Sequence, residues 1–316
     1  MSTVDLKLSL ERYLAVRSAI GFADQAAKTL LPGFVKYLET RHVTGPIRAE
    51  WAVEWACSKE SRRGISGQAA RLTMARGFLA HLRATAPETE VPAFGLIASP
   101  KRPQPYLFTR TQIEELLEAA ARLGPHDALR PYTYRTLIGL LACTGLRIGE
   151  AIRLTINDVR LDLDPPHLLI RESKFKKSRI VPLHPSSAIA LRIYAEERYR
   201  RGYDAVSDAF FVSEQGSQLV RETVWSTFGR LTHRLGMWPS HGGRRPTPHA
   251  LRHSFAVERL ATWYSAGLDV NALAPHLSIY LGHVDPQQSY WYFTATAELL
   301  GSAAQRFQRY ANGGAE

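Results

Sequence analysis

Five prolines, at positions 87, 92, 100, 103 and 105, interrupt the chain over a stretch with no sustained hydrophobic period. Proline fixes φ and removes a backbone donor, so neither a helix nor a central strand can run through such a segment. Two bodies joined by a linker at 87–105 are therefore expected, in keeping with 316 residues at roughly 100–200 residues per domain. Lys101 and Arg102 lie among the prolines, where an extended strap could follow a phosphate backbone.

Residues 1–86 read as a small helical bundle. Leu10 and Leu14 share a face with Arg17, with Tyr13 beside them, and Leu30, Phe34 and Leu38 repeat at a spacing of four. Ile47, Trp51 and Trp55 mark a third segment over 47–58, and Leu72, Phe78, Leu79 and Leu82 a fourth over 68–83. Lys59, Arg62, Arg63, Arg71, Arg76 and Arg83 gather around this last helix, as a solvated charged face or as a surface for a polyanion.

Charge points the same way without deciding it. Forty Lys+Arg against 29 Asp+Glu leave a formal +11, which favours a polyanionic partner, most simply nucleic acid. Two cysteines, Cys57 and Cys143, are too few for a disulfide framework or a thiolate metal site, so a reducing compartment is expected. The N-terminus lacks the apolar core of a signal peptide, and the longest apolar run, around Leu137 to Leu146, is broken by Gly139, Thr144 and Gly145. A cytoplasmic chain with no membrane partner is the expectation.

The second body is expected over 106–316. Thr109-Arg110-Thr111-Gln112 has the form of a capping box, followed by the stripe Ile113, Leu116, Leu117 and Ala120. An apolar helix over 133–143 ends at Thr144-Gly145, and another begins over 148–154. Short strand-like runs follow at 159–161, 168–170 and 179–183, the last two flanking the basic turn Lys174-Phe175-Lys176-Lys177-Ser178 as a hairpin. Helical patterns resume at 188–199, 220–235, 250–266 and 271–281. The fold class is thus mainly α, with a small antiparallel β-sheet in the C-terminal domain.

Several residues here could handle a phosphate. Arg147, in Thr144-Gly145-Leu146-Arg147-Ile148-Gly149-Glu150, follows a glycine turn at the start of a helix, where free N–H groups and the dipole favour an anion. Its ordinary alternative is a turn arginine paired with Glu150. His249 and Arg252 stand three apart after Pro248, so a helix would direct both at one ligand, the arginine by a bidentate fork. His249 and His253 also have the i,i+4 spacing of zinc ligands, but no third ligand is evident and no metal is expected. Lys174, on the hairpin, could protonate a leaving oxygen, although spacing alone selects none of the turn's lysines. His283 follows Leu281-Gly282. Tyr290 and Tyr292, two apart, would face opposite sides of a helix started by Asp285-Pro286, so only one could face a phosphate beside His283.

In this order the pieces resemble the tyrosine recombinase (phage integrase) family over roughly residues 106–310, most like the recombinases carried by transposons. The resemblance implies Arg147 and Arg252 as catalytic arginines, Lys174 as the hairpin lysine, His249 and His283 as catalytic histidines and Tyr292 as nucleophile, nine residues after His283. Glu150 matches an acidic position with a structural role. The hairpin reads SKFKKSR, where many relatives have a glycine in the turn. Residues 1–86 look like the family's core-binding, SAM-like domain. The implied activity is site-specific DNA cleavage and rejoining through a 3′-phosphotyrosyl intermediate, without cofactor, for a mobile element. The implied partner is double-stranded DNA, held by a homo- or hetero-tetramer on two sites. A type IB topoisomerase shares the chemistry, and an inactive DNA-binding accessory or regulatory protein would share the fold.

Overall fold

The computed structural model describes residues 5–22, 25–41, 45–58, 64–98, 105–125, 127–171, 178–238 and 245–282. The chain divides into two compact units, Met1–Arg102 and Pro103–Glu316. It is mainly helical, with a three-stranded antiparallel sheet in the second unit. Among the described residues, no helix is long and apolar enough to cross a membrane.

The first unit holds α1 (Leu6–Ala19), α2 (Gln25–Thr40), α3 (Ala49–Cys57) and α4 (Gly64–Leu82). Of the apolar residues that set their periods most are buried, while Leu14, Leu30 and Trp51 pack half-buried against the core. The Asp5 carboxylate caps α1 by accepting from the N–H groups of Lys7 and Leu8 at 3.1 and 3.0 Å. Leu10, Phe34, Leu38, Trp55, Phe78 and Leu79 form one core.

Residues 87–98, expected as linker, lie on this core. Thr89 is buried, and Val91 and Ile97 pack against the helices. The tie is Arg76, whose Nε and Nη2 donate to the carbonyls of Pro92 and Ala93 at 2.9 and 2.7 Å. Arg71 likewise stacks on the Trp55 ring at 4.0 Å and donates to the Trp55 carbonyl at 2.6 Å. Two of the basic residues expected on a charged face are thus engaged by the bundle itself.

The second unit opens with α5 (Arg110–Ala121). Its capping box forms as expected: Gln112 N–H donates to Thr109 Oγ1 at 3.2 Å, and Thr109 N–H to Gln112 Oε1 at 3.1 Å. Next come α6 (Arg130–Thr144) and α7 (Ile148–Ala151), which ends sooner than the apolar pattern predicts. The Asp158 carboxylate accepts from Thr155 N–H at 3.0 Å, and Phe210 N–H takes the Leu154 carbonyl at 2.7 Å, so the chain leaves the helix for the sheet.

The strands β1 (Val159–Arg160), β2 (His167–Ile170) and β3 (Arg179–Pro182) pair in that order. Leu168 opposes Val181 and Ile170 opposes Arg179. Leu168, Ile170 and Val181 face the core while Ile180 is exposed, the alternation a half-buried sheet requires. The rest is helical: α8 (Pro185–Arg200), α9 (Arg221–Arg234), α10 (Pro248–Ser265) and α11 (Val270–Leu281). Ser254 of α10 accepts from Phe108 N–H at 2.7 Å, tying α10 to the segment that enters the unit.

Candidate active site

Two of the glycines in the motifs are helix ends. Gly145 closes α6 at φ +62°, and Gly282 closes α11 at φ +70°, left-handed conformations that side chains resist. Neither has room for a methyl group. A Cβ at Gly145 would lie 2.6 Å from Phe255 Cδ1 and 2.9 Å from Leu281 Cδ2, and one at Gly282 would lie 2.7 Å from Arg179 Nη1. The close approach brings α6, α10 and α11 together at one point.

Three arginines meet there on consecutive carbonyls. Arg179 Nε donates to Tyr280 at 2.9 Å, Arg252 Nη2 to Leu281 at 2.8 Å, and Arg147 Nη2 to Gly282 at 3.0 Å. The last carbonyls of a helix have no partner within it and carry the negative end of its dipole, so cations are favoured there. Arg252 also donates from Nη1 to Gly145 at 2.7 Å, joining the ends of α6 and α11.

Beneath Arg147, Glu150 is buried and serves two arginines. Its Oε1 accepts from Arg147 Nη1 at 2.9 Å, and its two oxygens take Arg179 Nη1 and Nη2 at 3.2 and 2.8 Å. It also accepts from Arg147 N–H at 3.1 Å. Burial pushes the carboxyl upward, but the hydrogen bonds and charge of Arg179, then the charge of Arg147, outweigh it and hold the group below the usual glutamate range. The turn reading and the phosphate reading of Arg147 are compatible: one nitrogen pairs with Glu150 while the side chain keeps 29% exposure.

That exposure opens onto a cavity of about 560 Å³, to which Arg147, Arg153, Arg221, Arg245, His249 and His253 contribute. Trp225 adds an aromatic wall, 5.7 Å from the Arg221 guanidinium. Glu150, the carboxylate lining this cavity, is already compensated by two arginines, so the wall is strongly cationic. It suits a polyanion.

Arg147 and His249 therefore face one space, whereas Arg252 does not line it. Arg252 is 1% exposed, because the first turn of α10 packs on the end of α6 and turns that position inward. The expected shared ligand of His249 and Arg252 is replaced here by backbone carbonyls on the arginine side. The rings of His249 and His253 meet edge to face at 4.6 Å. Among the described residues, no group of three or more His, Cys, Asp or Glu is placed to hold a metal ion. Lys174, His283 and Tyr292 lie outside the described residues.

The family model of the phage integrase family matches residues 107–298. The chain belongs to this family. A putative integrase/recombinase, y4rB of Sinorhizobium fredii, is 37% identical over 314 residues, 98% of each chain. Tyrosine recombinase XerC of Roseiflexus sp. is 32% identical over 230 residues, 70% of this chain and 68% of that one. Among solved structures, the XerH site-specific recombinase bound to its palindromic difH substrate superposes with a TM-score of 0.70 at 19% identity, covering 97% of this chain and 86% of that one. The Tn1549 transposon integrase in complex with transposon right-end DNA gives 0.66 at 18%, covering 96% and 99%. This phage integrase family member thus shares their fold.

Sequence reasoning missed Arg179 in this integrase family chain. In sequence it is one more cation after a basic turn, and nothing local marks it as the partner of a carboxylate 29 positions earlier.

Proposed function

We propose that this chain is a site-specific DNA recombinase that cuts and rejoins DNA through a 3′-phosphotyrosyl intermediate, serving a mobile element. The observation that carries the reading is the cationic cavity floored by Arg147 and bordered by His249. The lengthwise similarity to an integrase/recombinase and the DNA-bound recombinases of like fold support it. Double-stranded DNA is the partner, held by a homo- or hetero-tetramer on two sites in the cytoplasm.

In the proposed reaction the Tyr292 oxygen attacks a backbone phosphorus and the bond to the 5′-oxygen breaks. Lys174 gives that oxygen its proton, while His249 assists removal of the tyrosine proton. Arg147, facing the cavity, offsets charge on a nonbridging oxygen, with His283 supporting by a hydrogen bond. Arg252 joins it by exchanging a carbonyl for the second nonbridging oxygen, a swap favoured by the phosphate's full charge. The 5′-hydroxyl of a partner strand then attacks the phosphotyrosine and restores the diester. Arginine, lysine and histidine supply the charge and protons, so no cofactor enters.

A nicked half-site cut from the DNA flanking the gene should trap protein covalently. Tyr292→Phe should abolish the adduct and Tyr290→Phe spare it. Wild type that binds such DNA yet never forms an adduct would overturn the enzyme reading; the reverse pattern of the two variants would move the nucleophile to Tyr290.

A further inference from the structure

We infer that Arg179 is a positioning residue of the phosphate site, one side chain that sets both the arginine facing the cavity and the helix end that leads into His283. The inference rests on the recombinase reading for its chemistry, but its geometry stands apart from it.

Each of the three guanidinium nitrogens of Arg179 has a partner. Nη1 and Nη2 meet the two oxygens of Glu150, and Nε meets the Tyr280 carbonyl. The side chain is 11% exposed, so these bonds form with little competition from water. Because Glu150 also holds the Nη1 and the backbone N–H of Arg147, Arg179 fixes the carboxylate that orients Arg147. Its guanidinium also lies on Gly282, where a methyl group would come within 2.9 Å of Cζ. One planar group thereby bridges three parts of the chain: the start of β3, α7 and the end of α11.

Arg179 does not line the cavity, so it is not expected to touch the phosphate. It is also the first residue of β3, five positions after Lys174 in the sequence. Just past the end of β2, the more exposed Arg171 donates from Nε to Asp158 at 2.5 Å. Lysine could keep the charge at 179 but not the fork, since an ammonium cannot meet both carboxylate oxygens and the carbonyl in one plane.

The test compares Arg179→Lys and Arg179→Met with wild type on nicked DNA at saturating concentration. Small displacements at a reacting centre cost roughly 100-fold, so adduct formation should slow by about 10- to 100-fold with DNA affinity nearly unchanged. Arg179→Met should also move the acid limb of the pH–rate profile upward, because Glu150 loses its nearest cation. Arg147 remains beside the carboxylate, and Arg153, Arg221, Arg245, His249 and His253 line the same cavity. A merely structural role would lower the rate equally at every pH.

Amide exchange at Leu281 and Gly282 should quicken in Arg179→Lys. Gly282→Ala, which displaces the guanidinium while keeping Arg179 and Glu150, gives a second route if the arginine variants fold poorly, and should slow the adduct likewise. Unchanged rate and unchanged exchange in folded variants would overturn the inference. Faster exchange with no adduct from wild type itself would instead remove the recombinase reading and leave the positioning role in place.

Discussion

Arg252 Nη1 donates to the Gly145 carbonyl at 2.7 Å across 107 positions of sequence, joining α10 to the end of α6. The Nη2 bond to Leu281 makes the same guanidinium a link to α11. A residue selected in sequence for phosphate binding is therefore also a strut between helices. Replacing it should lower stability and, on the proposed function, the chemistry as well.

Hydrogen bonds to charged groups contribute about 1.5–3 kcal/mol each, so Arg252→Ala should lower the unfolding free energy by about 3 kcal/mol or more. Urea denaturation measures this directly. Covalent adduct should be lost even at temperatures where the variant remains folded. Retained adduct would limit Arg252 to its structural bonds.

Gly145 and Gly229 make a paired prediction. Alanine at Gly145 meets a positive φ and two side-chain atoms inside 3.0 Å, whereas Gly229 in α9 has nothing within 4 Å. Gly145→Ala should destabilise by roughly 2–5 kcal/mol from strain and overpacking together. Gly229→Ala should stabilise by about 0.5–1 kcal/mol through helix propensity and unfolded-state entropy. Equal melting shifts would contradict this account of the motif glycine.

Glu150→Gln removes the counter-charge of Arg147 and Arg179. Breaking a buried ion pair from one side costs about 3–5 kcal/mol, which neutral-pH denaturation should show. The pH dependence has a definite sign. A carboxyl whose folded pKa is depressed stabilises fully above its unfolded value, about 4.3 for glutamate, and that stabilisation fades as pH falls through the lower folded value. The stability gap between wild type and Glu150→Gln should therefore narrow in acid, below the usual glutamate range. A gap constant from pH 7 down to acid unfolding would count against the pairing.

Arg221 and Arg245 line the cavity, whereas the hydrogen bonds to Glu150 come from Arg147 and Arg179. If each neutralises one phosphate of bound duplex, Arg221→Ala and Arg245→Ala should each reduce the slope of log K against log salt by about 0.9. Fluorescence anisotropy over a salt series reads this slope. Weaker binding with an unaltered slope would mean that the arginines act through something other than phosphate contact.

Much of this protein is determined by its sequence. Local periodicity places the helices of both units, the Thr109–Gln112 box starts α5, and alternation at Leu168, Ile170 and Val181 sets the sheet register. The motif residues also identify the family, because glycine turns, arginines and histidines in a fixed order are local patterns. What tertiary structure decided is where the arginines point. Arg252 turned inward because α10 packs on the end of α6, Arg179 was recruited by Glu150, and three guanidiniums converged on the carbonyls of Tyr280, Leu281 and Gly282. An arginine looks the same in sequence whether solvated or buried. Only the meeting of unpaired helix-end carbonyls with cations from three distant segments assigns it a partner.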